Sequence, residues 1–296
     1  MVAASAAVSA GAALAAVLIH RAELTPWFSQ TRVWFSGRAA KHFFSISTAM
    51  LITGFLALAA VLVVRGNIVR SQGLQRAGLF DAAWSISMSQ VTLVLASVQT
   101  YYLPALSRAR TQAEKAREIS RVLMAGTLVS APVIAGLALF QPRVLELFYS
   151  PAFQGAHQYL RWTLLGDYVK VASWILSVPM LAAADMKLFL LSDLTATSTF
   201  VGAAFLFTRW YEPAESAAMA FFLMYTVHLT ISLLYVRFRQ GIRLGRQAIA
   251  LWMGGLALVV AAAAVGWSGA GSRPARIEVF QTHVAGRESA PRTDTR

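Results

Sequence analysis

Apolar residues come in eight long blocks, about 2–19, 43–64, 79–103, 122–140, 161–183, 188–207, 216–236 and 247–267, with charge collected in the short gaps between them. Each block is close to the ~20 residues that an α-helix needs to cross ~30 Å of hydrocarbon at ~1.5 Å per residue. Soluble cores are not built from such blocks. The pattern therefore predicts an all-α integral membrane protein, a polytopic helical bundle of about eight transmembrane helices. The first block, Val2 to Ile19, has no charged segment ahead of its apolar run and so reads as a retained helix rather than a secretory signal. Residues 268–296 hold few large apolar side chains and several Pro, Gly and Ser. That is too little to bury in a packed core, and a disordered polar tail is expected there.

Composition sharpens the picture. Apolar residues make up 57% of the chain and charged ones 13%, about half the ~25% of an ordinary soluble domain. There is no cysteine, which excludes disulfides, thiol nucleophiles and thiolate metal sites. The net charge of +13 does not indicate a nucleic-acid partner, because the basic residues flank apolar blocks, where they orient helices against an anionic leaflet. The gaps 20–42, 104–121, 184–187 and 237–246 carry 14 Lys and Arg, against 6 in 65–78, 141–161 and 208–215. Basic residues resist translocation, so the richer set is expected on the cytoplasmic side. With eight spans that places both chain ends outside, and predicts that a piece is missing ahead of Met1.

Within 20–42, Pro26, Trp27, Phe28, Trp34 and Phe35 alternate with Arg21, Arg32, Arg38 and Lys41, a composition suited to a short helix lying in the headgroup layer. Residues 107–121 pair Glu114 and Glu118 with nearby Lys115 and Arg121, as in a solvated helical extension.

Charges inside bilayer-spanning helices cost several kcal/mol unless they meet a cavity or a partner, so they mark candidate sites. Asp167 and Lys170 lie i,i+3 in the fifth span, where they can neutralise each other. Two readings fit: a charged patch lining a cavity, or a pair near the helix start that snorkels to water. The third span carries Ser85, Ser87, Ser89, Gln90, Thr92, Ser97, Gln99, Thr100, Tyr101 and Tyr102, with Ser85, Ser89, Thr92, Gln99 and Tyr102 at roughly helical spacing. Such a face either lines a water-filled path or cements helix packing. Pro104 is expected to end that span. Arg65 closes the second span on the basic-poor side, where a headgroup or another anion is expected to meet it. Asp81, Asp185, Lys187 and Asp193 fall near expected helix ends and read as interfacial. His228, alone in the seventh span, reads as a packing residue. No cluster with metal-ligand spacing, no phosphate-binding glycine loop and no nucleophile elbow is present, so the chain is not expected to be an enzyme or to need a cofactor.

Three motifs, in order and spacing, carry a family resemblance: LITGF…VVR ending in Arg65, Tyr-x-Leu-Pro-x-Leu-Ser-Arg from Tyr101 to Arg108, and Gly166-Asp167-x-x-Lys170-Val171, with Trp162 shortly before. Over Lys41 to Arg239 the chain resembles the C-terminal lobe of the O-antigen and lipid III (enterobacterial common antigen) flippases, the polysaccharide-export branch of the multidrug/oligosaccharidyl-lipid/polysaccharide exporter superfamily.

The resemblance implies one lobe of a two-lobed exporter. Residues 1–19 would be the last helix of an N-terminal lobe, 20–42 a cytoplasmic interfacial linker, 43–238 the six-helix C-terminal lobe, 239–267 an extra transmembrane helix and 268–296 the tail. It further implies translocation of an undecaprenyl-pyrophosphate-linked oligosaccharide across the bacterial inner membrane for O-antigen or a related surface polysaccharide. Arg65, Asp167 and Lys170 then line or gate a cationic cavity, with Gln90, Gln99 and Tyr102 as further substrate contacts. Membrane lipids, a glycan polymerase or a separately made N-terminal lobe are the implied partners. Met88 stands where the family tends to have an acidic residue, and Leu58 where a proline is expected; about five helices of the first lobe are absent. Two alternatives remain open, a drug/cation antiporter of the same superfamily and a membrane enzyme of glycan assembly with His228 as base.

Overall fold

The computed structural model describes residues 37–270, and the expected first span, most of the linker and the tail from 271 lie outside the described residues. The chain divides into two compact units, Met1–Ser47 and Thr48–Arg296. In the first, the described residues 37–47 are helical.

Every element among the described residues is helical: α1 (Gly37–Arg108), α2 (Gln112–Leu139), the short α3 (Gln141–Phe148), a 3-10 turn (Pro151–Ala156), α4 (His157–Ala182), α5 (Met186–Phe207), α6 (Pro213–Leu234), a π turn (Tyr235–Arg239) and α7 (Arg246–Ala270). Among the described residues, six helical segments are long and apolar enough to cross a membrane, the first being Ser47–Thr92 with 46 residues. That is about twice the ~20 residues of one crossing. The excess is resolved at Gly73, whose φ of 80° and ψ of 175° break the helix. A continuous helix would hold Arg65 and Asp81 about 24 Å apart, at ~1.5 Å per residue. Instead their side chains touch at 2.9 Å, so α1 is a helical hairpin, and its arms hold the expected second and third spans. The second arm does not stop at Pro104 but continues to Arg108. A proline there removes one hydrogen bond close to the helix end, where little remains to be lost. A capping box then starts α2: the Thr111 hydroxyl accepts from the Glu114 N–H, and the Glu114 carboxylate accepts from the Thr111 N–H.

At the centre stands α4, whose buried residues face every direction and include Tyr159, Leu164, Tyr168 and Ile175. It packs on α2, α5, α6 and α7. Small side chains allow this: Ala217, Ala218 and Ala220 of α6 are fully buried, as expected where helices associate without a hydrophobic driving force. Gly166 gives the closest approach, because a Cβ there would lie 2.5 Å from a ring carbon of Phe221. Tyr168 stacks on Trp252 of α7 at 5.8 Å and donates to its carbonyl at 2.7 Å. Conversely, Leu51, Phe55, Leu58 and Leu62 of the first arm remain exposed, the surface expected against lipid or another helical partner.

Loops gather at two ends. Leu106, Ser107, Lys115, Ala183, Gln240 and Ile242 surround one small cavity, Arg239 approaches Asp185 at 4.0 Å, and the Gly245 N–H donates to Ser120. The gaps 104–121, 184–187 and 237–246 thus share one end. At the other, Gln72 donates to Glu212 at 3.0 Å and accepts from the Ala214 N–H at 2.9 Å, while Arg76 lies 3.6 Å from Glu212.

Candidate functional site

A cavity of about 400 Å³ lies between the α1 hairpin, α4, α5 and α6. Arg65 and Lys170 both line it, together with Trp84, Met88, Phe221 and Tyr225. No acidic residue is among its lining residues. Two cations at an aromatic wall have the chemistry to meet an anionic group with apolar flanks.

Each cation is held differently. The Arg65 Nε contacts Asp81 Oδ1 at 2.9 Å, though not with the alignment of a hydrogen bond, and the guanidinium lies 6.0 Å from the Trp84 ring. The anion expected beside Arg65 is therefore supplied in part by the chain itself, and Asp81 serves as its partner across the hairpin. Lys170 reaches from α4 to the rings of Tyr225 and Phe221, at 5.2 and 5.7 Å, and to Met88 Sδ at 3.5 Å.

Asp167 is fully buried and, among the described residues, forms no ion pair with Lys170. Their i,i+3 spacing is real, but Gln90 of the hairpin donates to Asp167 Oδ2 at 3.0 Å while Lys170 turns into the cavity. The buried Ser87 hydroxyl, also on the hairpin, lies beside the same carboxylate. Gln90 and Asp167 thus form a layer behind the cationic cavity rather than part of its wall.

The remaining sequence candidates fall elsewhere. Tyr102 is fully buried, its hydroxyl has no partner among the described residues, and it does not line the cavity. The side chain of Gln99 lies outside the described residues. Ser89 and Thr92 are exposed and donate to the carbonyls of Ser85 and Met88, four residues back, so their hydroxyls are satisfied within the helix.

Sequence reading missed a second polar cluster. Asp193 of α5 and His228 of α6 meet at 3.4 Å, with His228 buried. Asp193 is therefore not interfacial in the sense expected, because it lies about two turns inside α5 against a facing histidine. Nothing in either helix's own pattern pairs the two; only the α5–α6 packing does.

The fold and this buried polar network define the class, a multi-pass α-helical membrane protein. A family model described as "Polysaccharide biosynthesis protein" matches residues 10–158, half of the chain, and the chain belongs to that family. It is similar to the lipid III flippases of Escherichia coli (strain K12) and Shigella flexneri, each 24% identical over 221 residues, covering 73% of this chain and 52% of the relative. The chain thus spans about half the length of these curated relatives. No solved structure matches it.

Proposed function

We propose that this chain takes part in moving an undecaprenyl-pyrophosphate-linked oligosaccharide across the bacterial inner membrane, for O-antigen or a related surface polysaccharide, as a C-terminal lobe that works with an N-terminal lobe. The observation that carries this reading is that Arg65 and Lys170, distant in sequence, line one cavity without a carboxylate in its wall. A guanidinium and an ammonium facing one space suit a pyrophosphate, the guanidinium by bidentate hydrogen bonds and the ammonium as a point charge. The flippase names of the relatives support the lipid-linked class of cargo. Gln90 acts through Asp167, holding the carboxylate away from Lys170 so that the ammonium stays available to the cargo. On this reading α7 is an addition to a six-helix lobe, and a glycan polymerase is a downstream partner.

The test is complementation. Arg65→Ala and Lys170→Ala, made in a version able to restore export to a flippase-null strain, are expected to lower surface polysaccharide and accumulate the lipid-linked precursor at normal protein level. Wild-type surface glycan in both variants refutes the cationic role.

A drug/cation antiporter is the second reading, and the buried Asp167 and the Asp193–His228 pair are what favour it. Membrane-embedded carboxylates are what cation coupling needs. Drug resistance conferred without any effect on surface glycan would select it.

A further inference from the structure

Where α6 ends, the π turn Tyr235–Arg239 separates two apolar clefts. One, of about 490 Å³, runs between α5 and α6 from Met180 and Leu191 to Arg239. The other, of about 360 Å³, lies on the opposite side, with Arg237 and Arg243 at its rim. Phe238 lines both and is 77% exposed, so it forms the ridge between them. The turn closes through the Gln240 N–H donating to the Tyr235 carbonyl at 3.1 Å, and the extra residue it accommodates sets Arg237, Phe238 and Arg239 side by side on the surface.

The three guanidiniums are poorly paired. Arg237 and Arg243 form no ion pair among the described residues, and Arg239 is 71% exposed with Asp185 only at 4.0 Å. This end also bears the basic-rich gaps, which the orientation rule puts in the cytoplasmic leaflet, where anionic lipids concentrate. We propose that this end of α6 holds an anionic two-chain phospholipid, its phosphate on Arg237, Arg239 and Arg243 and its two acyl chains in the clefts on either side of Phe238. Two apolar clefts parted by one ridge, with cations at both rims, match one phosphate carrying two tails better than a single-tailed prenyl carrier. The site lies outside the Arg65–Lys170 cavity and shares no lining residue with it.

Native mass spectrometry of the purified full chain tests this, with phosphatidylglycerol and phosphatidylcholine of identical acyl chains as probes and polyprenyl phosphate as competitor. Phosphatidylglycerol is expected to bind selectively, and Arg237→Gln, Arg239→Gln and Arg243→Gln each to weaken it about fivefold. Phe238→Ala is expected to weaken binding of both lipids without changing the preference. Arg108→Gln and Arg110→Gln, at the same end but away from the clefts, are expected to leave it unchanged. Equal binding of the two lipids, full phosphatidylglycerol binding by the triple glutamine variant, equal loss in the Arg108 and Arg110 variants, or displacement by equimolar polyprenyl phosphate overturns the proposal. None of these readouts depends on transport, so the site stands or falls separately from the flippase reading.

Discussion

Lys170 Nζ lies 3.5 Å from Met88 Sδ, so the ammonium of α4 ends on a thioether of the α1 hairpin rather than on a carboxylate. The family resemblance puts an acidic residue at the position of Met88. With methionine there, the charge of Lys170 is left to the cavity and to the faces of Phe221 and Tyr225.

Met88→Glu is therefore expected to capture Lys170 in an ion pair and remove one cation from the cavity. Surface glycan in the complementation assay should fall about tenfold, the ratio that corresponds to ~1.4 kcal/mol of lost binding. Met88→Leu, which keeps volume and polarity, should stay near wild type.

Gly166 is expected to tolerate little. A side chain there drives into the Phe221 ring, and overpacking of this kind costs about 1–3 kcal/mol. Gly166→Val should lower the melting temperature in detergent, and Phe221→Ala in the same chain should recover part of the loss. Independent, additive losses would show that the two do not meet.

Gly73 holds a conformation that is essentially confined to glycine, and forcing another residue into it costs about 1–3 kcal/mol. Gly73→Ala should therefore destabilise the hairpin, which Trp84 fluorescence against temperature can report if the other tryptophans are replaced. Gln72→Ala, which removes the contacts to Glu212 and the Ala214 N–H, should have a smaller effect in the same direction. Unchanged melting in both would mean that the turn is held elsewhere.

Asp193 and His228 should behave as a coupled pair. Removing one takes from the other its facing partner in a largely buried place, so Asp193→Ala and His228→Ala should each destabilise more than their share of the double variant. A double-mutant cycle is expected to show a coupling of about 0.5–3 kcal/mol. A coupling near zero would make the 3.4 Å approach incidental.

What the sequence determined by itself is what depends on the solvent. Apolar blocks of crossing length specify helices in lipid wherever they occur, because an unpaired backbone group in hydrocarbon costs more than any local preference offers. Blocks 43–64 through 247–267 accordingly all lie within helices, to within one residue at their ends. Arg65, Asp167 and Lys170 were legible for the same reason, since a charge within an apolar block is conspicuous without knowing its neighbours.

Only the tertiary structure decided which charge meets which. Spacing along one helix pairs Asp167 with Lys170, but helix packing gives the carboxylate to Gln90 and the ammonium to a cavity shared with Arg65. Likewise Asp81 and Asp193 look interfacial in isolation, yet each acquires a cationic or imidazole partner, one through the turn at Gly73 and the other through α5–α6 packing. The physical reason is that burial cost is a property of the residue, while its compensation is a property of whatever the fold brings within about 4 Å.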